Sequence, residues 1–251
     1  MQLDLAGKRA LVIGRSDDIT RAIVNALLAQ GVTVAVTLQG ESEEAASLSA
    51  ALEAGRNGSF AVQASIGDEQ GVSQLMASVR ERFPSLDILI NNSESINHAP
   101  IESLTLETWR QVLDSNLTSV YLVTRAALDL LSQGGSIINV SACLAAVGMR
   151  GKAHFTAAKA GVIGFTRSLC KELGEQGIRV NVVAPGVIGT GEMAHLSPEQ
   201  RGRYAYLAAL GRLGRPAEVA NAVLFLSSDL SSFVTGATLP VDGGVGGIAA
   251  F

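Results

Sequence analysis

This sequence has few cysteines and few aromatic residues, and its basic residues do not outnumber its acidic residues. Its two cysteines, Cys143 and Cys170, have neither metal-ligand spacing nor the spacing of a redox pair. Lysine and arginine number 19 against 23 aspartates and glutamates, and the basic residues form no cluster that could neutralise phosphates. We therefore expect no nucleic-acid partner, no metal site, and two ordinary thiols in a cytoplasmic protein.

Long hydrophobic runs are also missing. No stretch approaches the roughly 18 consecutive apolar residues that indicate a membrane span, and the first residues include an acid, Asp4, before a strand-like run begins. Neither an export signal nor a membrane anchor is predicted. The chain nevertheless has 251 residues of which 47% are hydrophobic, which is enough to bury one sizeable core.

Short apolar, β-rich runs alternate with longer segments of helical spacing, which predicts βαβ units around a parallel sheet that is buried on both faces. The six prolines stand singly, and no linker or repeat interrupts the alternation. We predict one doubly wound Rossmann-type α/β domain over residues 1–251 with a seven-stranded parallel sheet, rather than an eight-stranded βα barrel. The predicted strands are 10–13, 32–37, 61–62, 88–90, 137–140, 180–183 and 238–241.

Several motifs follow one another over almost the whole chain, at residues 11–14, 89–92, 114–118, 135–141, 157–162, 179–186 and 213–244. In order and spacing they resemble the short-chain dehydrogenase/reductase family, and most closely its β-ketoacyl carrier-protein reductases. The resemblance implies a Rossmann domain with a substrate lid at about residues 190–212, a nicotinamide cofactor, and reduction of a ketone. It also implies a tetramer, formed through two long helices at about 105–131 and 152–175 and through the C-terminal strand.

The phosphate-binding turn departs from the family pattern T-G-x-x-x-G-x-G. Only Gly14 is retained, whereas Asp18 and Thr20 stand at the other two glycine positions. A carboxylate about 4 Å from a phosphate costs about 4 kcal/mol at an effective dielectric constant of about 20, and a helix N-terminus stabilises an anion by only about 0.3 to 2 kcal/mol. We predict that Asp18 is the N-cap of a helix beginning at Ile19, and that no dinucleotide binds.

The remaining cofactor positions are mixed. Neither an acid nor an arginine ends the second strand, where Gln39 stands, and Ser65 replaces the acid that faces adenine. Glu94 replaces a glycine in the turn that follows the fourth strand. If a cofactor binds, it is NADPH or NADH, and its vestigial contacts are Gly14, Asn91, Pro185, Gly186 and Thr190. Alternatively, Pro185 and Gly186 only shape the turn after the sixth strand.

The catalytic positions are altered as well. Aligning the family's catalytic lysine with Lys159 places Phe155 at the tyrosine that donates the proton and Ala142 at the serine that polarises the carbonyl. Neither side chain can do general acid–base chemistry. Lys159 and Asn116 are retained, and they could bind a carbonyl or carboxylate ligand or simply satisfy main-chain groups.

Three other residues are weaker candidates for an acid or base. His154 precedes Phe155, and a surface or loop-packing role is the simpler interpretation of this histidine. Tyr204 and Tyr206 lie in the lid, where an exposed position is expected.

Three functions remain possible. The leading hypothesis is a non-catalytic subunit, in a homo-oligomer or beside an active short-chain reductase in a tetramer. The second is a non-redox cyclase, dehydratase or isomerase acting on an acyl or polyketide-like ligand in a pocket lined by Phe155, Ala142 and Val187. The third is an atypical 3-oxoacyl reductase that depends on NAD(P)H.

Overall fold

The computed structural model describes residues 3–38, 42–55 and 57–245. Its seven strands form one sheet in which every pairing is parallel, in the order β3-β2-β1-β4-β5-β6-β7. The predicted fold class and strand number are therefore confirmed. The strands are β1 Arg9–Gly14, β2 Thr33–Leu38, β3 Phe60–Gln63, β4 Leu86–Asn92, β5 Leu131–Val140, β6 Arg179–Pro185 and β7 Thr238–Val241.

Five strands are longer than their apolar runs predicted, and the difference is largest for β4 and β5. β4 continues to Asn92, and β5 begins at Leu131 and includes Gly134 and Gly135. Near the end of β4, Asn91 is buried and donates hydrogen bonds to other side chains. The end of β4 is therefore polar although it lies inside the protein. A prediction based on apolar periodicity ends too early at such positions.

Helices cover both faces of the sheet. α1, α2 and α9 share one hydrophobic cluster with the sheet, whereas α3, α5 and α7 share the cluster on the opposite face. This three-layer arrangement buries the strands on both sides, as their apolar sequences predicted. The helices are α1 Asp18–Ala29, α2 Glu43–Ala54, α3 Glu69–Arg80, α4 Leu106–Leu113, α5 Ser119–Ala127, α6 Leu144–Val147, α7 Ala153–Glu172, α8 Pro198–Tyr206 and α9 Pro216–Ser227.

The long helix predicted at 105–131 is divided. A five-residue π-helical segment, Asp114–Thr118, separates α4 from α5, and the chain has already entered β5 at Leu131. The second predicted helix, 152–175, is close to the observed α7. No helix among the described residues is long and apolar enough to cross a membrane.

Strands β2 and β3 are added on one side of β1, and strands β4 to β7 are added on its other side. The order of the strands along the chain therefore changes direction between β1 and β4. In open α/β sheets the crevice outside the carboxyl ends of such strands is the usual ligand site. The residue that ends β1 is Gly14 and the residue that ends β4 is Asn92, and the two pair in register. The predicted site residues lie at the ends of β1, β4, β5 and β6 and the turns that follow them, in the π-helical segment Asp114–Thr118, and in the first half of α7.

Candidate functional site

Side chains of two aspartates and a threonine make hydrogen bonds within and beside the turn after β1. The N-cap of α1 is Asp17, whose carboxylate accepts a hydrogen bond of 2.7 Å from the amide of Thr20. The prediction that Asp18 caps a helix beginning at Ile19 is wrong by one residue, because Asp18 is already helical. An N-cap carboxylate uses one of the amides that an anion at a helix N-terminus would otherwise bind.

Thr20 occupies the space that a third glycine would leave open. Its side chain is fully buried, and its hydroxyl accepts a hydrogen bond of 2.9 Å from Nδ2 of Asn92. A Cβ added to Gly14 would collide with Oγ1 of Thr20. The remaining glycine of the motif is therefore needed here for the packing of Thr20, and its amide is already bonded to the Thr37 hydroxyl at 3.0 Å.

Asp18 lies beside this turn and makes two contacts. One carboxylate oxygen is 3.3 Å from a guanidinium nitrogen of Arg21, and the other accepts a hydrogen bond of 2.6 Å from the amide of Gly191. Arg21 partly offsets the negative charge, as charge pairing at an exposed surface does. Two carboxylates, those of Asp17 and Asp18, therefore lie at the turn to which the family resemblance assigns a pyrophosphate.

A polar pocket of about 630 Å³ opens beside the ends of β3 and β4. Ser65 and Glu94 line it, as the sequence placed them, and Arg15 forms part of its wall. Asn91 does not line this pocket, because its side chain is buried. Its amide nitrogen donates hydrogen bonds to Thr124 and Asn139 at 3.1 and 2.8 Å. The prediction for Gln39 falls outside the described residues.

The motif after β6 is used in packing. The amide of Gly186 donates to the carbonyl of Val241 at 3.0 Å, and a Cβ on Gly186 would lie 2.6 Å from Cα of Asp242. These contacts fit the alternative in which Pro185 and Gly186 shape the turn. Thr190 precedes the short 3₁₀ segment Gly191–Met193, whose first amide is the one that Asp18 binds.

Phe155 and Lys159 are each only 1% exposed, and they are the largest fully buried side chains in the described part of the chain. Nζ of Lys159 donates to the carbonyls of Ser93 and Val140 at 2.8 and 3.1 Å, and lies 5.7 Å from the centre of the Phe155 ring. Burial lowers the pKa of Lys159, while the charges of Glu94 and Asp17 oppose that shift. This lysine is held by main-chain groups, which matches one of the alternatives that the sequence left open.

The residues around Ala142 do not replace the missing serine. The hydroxyl of Ser141 donates to the carbonyl of Lys159 at 2.9 Å and is buried. Cys143 is also buried, and the pKa of its thiol is raised by burial and by Asp242. Neither side chain presents a reactive group at position 142.

Asn116 is buried in the π-helical segment, and main-chain groups satisfy its amide. Its oxygen accepts from the amide of Ser95 at 3.1 Å, and its nitrogen donates to the carbonyls of Ser95 and Val112 at 2.8 and 2.9 Å. The side chain thereby ties the turn after β4 to the irregular part of the helix. As with Lys159, the contacts match the structural alternative for this residue.

His154 is fully buried, not a surface side chain. Neither ring nitrogen has a hydrogen-bond partner among the described residues. Burial lowers the pKa of His154, and the nearby positive charge of Lys152 lowers it further. The place of His154 in the sequence did not indicate that its side chain is buried. By contrast, Tyr204 and Tyr206, in the segment predicted to be a lid, are both exposed, as expected.

The apolar pocket expected from Phe155, Ala142 and Val187 is not formed by those three residues. Val187 lines a pocket of about 530 Å³ beside β7, and neither Phe155 nor Ala142 contributes to that pocket. The reason is the burial of the Phe155 ring against Lys159. Among the described residues, no group of three His, Cys, Asp or Glu side chains is placed to hold a metal ion.

Comparison with known proteins identifies the family. Residues 14–246 match the protein family described as enoyl-(acyl carrier protein) reductase. The 3-oxoacyl-[acyl-carrier-protein] reductase FabG of Staphylococcus aureus is 38% identical over 240 residues, which cover 95% of this chain and 98% of that protein. The FabG reductase of Escherichia coli is 36% identical over 245 residues, covering 97% and 99%.

A solved structure agrees with these relatives. The short-chain dehydrogenase/reductase from Serratia marcescens superposes with a TM-score of 0.90 at 31% identity, over 96% of this chain and 99% of that one. The chain belongs to the short-chain dehydrogenase/reductase family. Within it, the chain is similar to 3-oxoacyl carrier-protein reductases.

The described residues do not fit the nicotinamide dinucleotide that membership of this family implies. Asp17 and Asp18 already use the amides of Thr20 and Gly191. Lys159, which would otherwise hold the ribose, donates to two carbonyls instead. A dinucleotide at this cleft would meet two carboxylates at the N-terminus of α1 and a lysine whose amino group is buried.

Proposed function

We propose that this chain is a short-chain reductase homologue that does not reduce ketones and serves as a non-catalytic subunit. The observation that carries the proposal is the side chain at the position of the proton donor. Phe155 has no ionisable group, and its ring is buried against Lys159. Because general acid catalysis contributes about 10²- to 10⁴-fold in rate, its loss removes much of the family's chemistry.

The carboxylates of the phosphate-binding turn support the same proposal. Asp18 would face the phosphates of a bound dinucleotide, and its charge is only partly offset by Arg21. Thr20 is fully buried against Gly14 and Asn92, so this part of the turn is packed by a side chain and is not left open by a small residue. The proposed loss of function thus concerns binding as well as proton transfer.

A role as a subunit is supported by apolar side chains on the surface. Leu106, in α4, and Phe233, shortly before β7, are 62% and 103% exposed. Leu106 belongs to the helical region 105–131 that the family resemblance assigns to contacts between subunits, and Phe233 precedes the C-terminal strand that it assigns to them as well. The proposed partner is a second copy of this chain or an active short-chain reductase, and the proposed assembly is a tetramer.

The test measures cofactor binding and turnover together. NADPH and NADH are titrated into the protein by calorimetry, and oxidation of NADPH is followed with a 3-oxoacyl thioester. We expect no binding tighter than about 10 μM and no turnover. The double variant Ala142→Ser, Phe155→Tyr shows whether restoring both reacting groups is sufficient. We expect it to remain inactive, because the turn that would hold the cofactor is unchanged.

Assembly is measured separately. Analytical ultracentrifugation of the chain alone, and mixed with an intact homologous reductase, reports whether a tetramer forms. A strictly monomeric protein in both experiments would contradict the role as a subunit.

A residual reductase activity is a second candidate. It is favoured by the retained Lys159 and Asn116 and by the 38% identity to the 3-oxoacyl-[acyl-carrier-protein] reductase FabG of Staphylococcus aureus. In that case NADPH binds to the wild-type protein, and turnover rises in Phe155→Tyr. A non-redox enzyme has less support, because both Lys159 and His154 are buried.

A further inference from the structure

A single carboxylate connects the phosphate-binding turn with the lid. One oxygen of Asp18, in the first turn of α1, accepts a hydrogen bond of 2.6 Å from the amide of Gly191. The other oxygen lies 3.3 Å from Nη2 of Arg21, one turn further along the same helix. The ion pair with Arg21 helps to orient the carboxylate towards the lid.

The lid is fastened at its base by main-chain hydrogen bonds. Ile188 and Gly214 form an isolated parallel bridge, in which the amide of Gly189 donates to the carbonyl of Gly214 at 2.8 Å. Near the end of the lid, the amide of Leu210 donates to the carbonyl of Gly243 at 3.1 Å. These contacts hold the two ends of the lid together, but they do not attach it to α1.

The body of the lid has little packing of its own. No residue of α8 is buried, and both of its tyrosines are exposed. Apolar burial therefore contributes little to the position of this helix, and an individual polar contact has more influence on whether the segment stays closed.

We propose that Asp18 is a latch that holds the lid segment Gly191–Met193 against the first turn of α1. Because the carboxylate is charged, its hydrogen bond to the amide is stronger than one between neutral groups. The closed segment forms one wall of a pocket of about 350 Å³, which Arg15, Arg21 and Glu44 also line. An anion approaching the N-terminus of α1 through this pocket would have to displace the latch. The latch goes beyond the proposed function, since it concerns the protein without any nucleotide.

Amide hydrogen exchange tests the latch directly. Exchange of residues 191–206 is compared in the wild-type protein, Asp18→Ala and Asp18→Asn, all without nucleotide. We expect Asp18→Ala to exchange about three- to tenfold faster over this segment, as loss of one exposed charge-assisted hydrogen bond predicts. Asp18→Asn retains an acceptor without the charge, so its exchange rate should lie between the other two.

Asp17→Asn is the matched control. It removes a neighbouring negative charge and keeps a side chain that caps helices well, but it leaves the contact between Asp18 and Gly191 in place. The lid of Asp17→Asn should therefore exchange as in the wild type. Amides of the central strands β1, β4 and β5 report in every variant whether the fold is intact.

The results separate the latch from the proposed function. The latch is overturned if residues 191–193 exchange equally fast in Asp18→Ala and wild type, or if Asp17→Asn accelerates them as much. If Asp18→Ala does not fold, Asp18→Asn decides by the same comparison. Binding of NADPH to the wild-type protein would contradict the proposed function, but it would leave the difference in lid exchange unaffected.

Discussion

The two halves of the cleft differ in polarity and in burial. Around the turn after β1 the site residues are polar, and Asp18 and Arg21 keep 31% and 41% of their side chains exposed. On α7, Phe155 and Lys159 are almost completely buried. One half is charged and partly exposed, and the other belongs to the protein interior.

This difference decides how each half should respond to substitution. A buried side chain that satisfies main-chain groups is costly to remove, because its partners lose their hydrogen bonds inside the protein. An exposed ion pair contributes little to the free energy of unfolding. We therefore expect the half of the cleft formed by α7 to determine stability, and the turn after β1 to do so only where Thr20 packs against Gly14.

The largest effect is expected for Lys159→Ala. The substitution leaves the carbonyls of Ser93 and Val140 without a donor and opens a cavity, and we expect a loss of about 3 to 5 kcal/mol in the free energy of unfolding. Urea denaturation measures this loss. Lys171→Ala, at an exposed position of the same helix, should change the stability by less than about 0.5 kcal/mol. An equally small loss of stability in Lys159→Ala would contradict the expected difference between the two halves of the cleft.

A smaller loss is expected for Gly14→Ala. The new methyl group meets the buried hydroxyl of Thr20, which Asn92 holds in place, so we expect a cost of about 2 kcal/mol. In a Thr20→Ala background the cost should fall by about 1 kcal/mol. Gly164→Ala is the control, because a Cβ at this exposed helical position meets nothing within 4 Å and should stabilise the helix slightly. Equal costs with and without Thr20 would show that Gly14 has another role.

The smallest effect is expected from the titration of His154. The pKa of this buried histidine is lowered by burial and by Lys152, so the unfolded chain takes up a proton at a higher pH than the folded protein does. This contribution to stability is therefore present above the ordinary value of 6.5 and is lost as the pH falls below it. Unfolding curves between about pH 5.5 and 7.5 should show the loss in the wild-type protein but not in His154→Leu. An unchanged slope in that variant would assign the titration to another group.

Particular residues show where prediction from sequence succeeded in the cleft and where it did not. Phe155 and Lys159 lie one turn apart on α7, as their spacing of four residues predicts. The N-cap was misplaced by one residue, since Asp17 and Asp18 are adjacent and either carboxylate could cap the helix. The burial of His154 and Asn91 was missed, because the elements that pack around a polar residue decide whether it is buried, and its residue type does not show them.

The order of apolar runs and turns was sufficient to predict a parallel, doubly wound sheet, because strands buried on both faces consist of short, nearly uninterrupted apolar runs that helical crossovers connect. Which groups meet across the cleft was decided only by the tertiary structure. Asp18 and Gly191 are 173 positions apart, and Lys159 reaches a carbonyl 66 positions away. Contacts of this kind depend on how the helices and turns dock at the edge of the sheet, and no local pattern in the chain records that geometry.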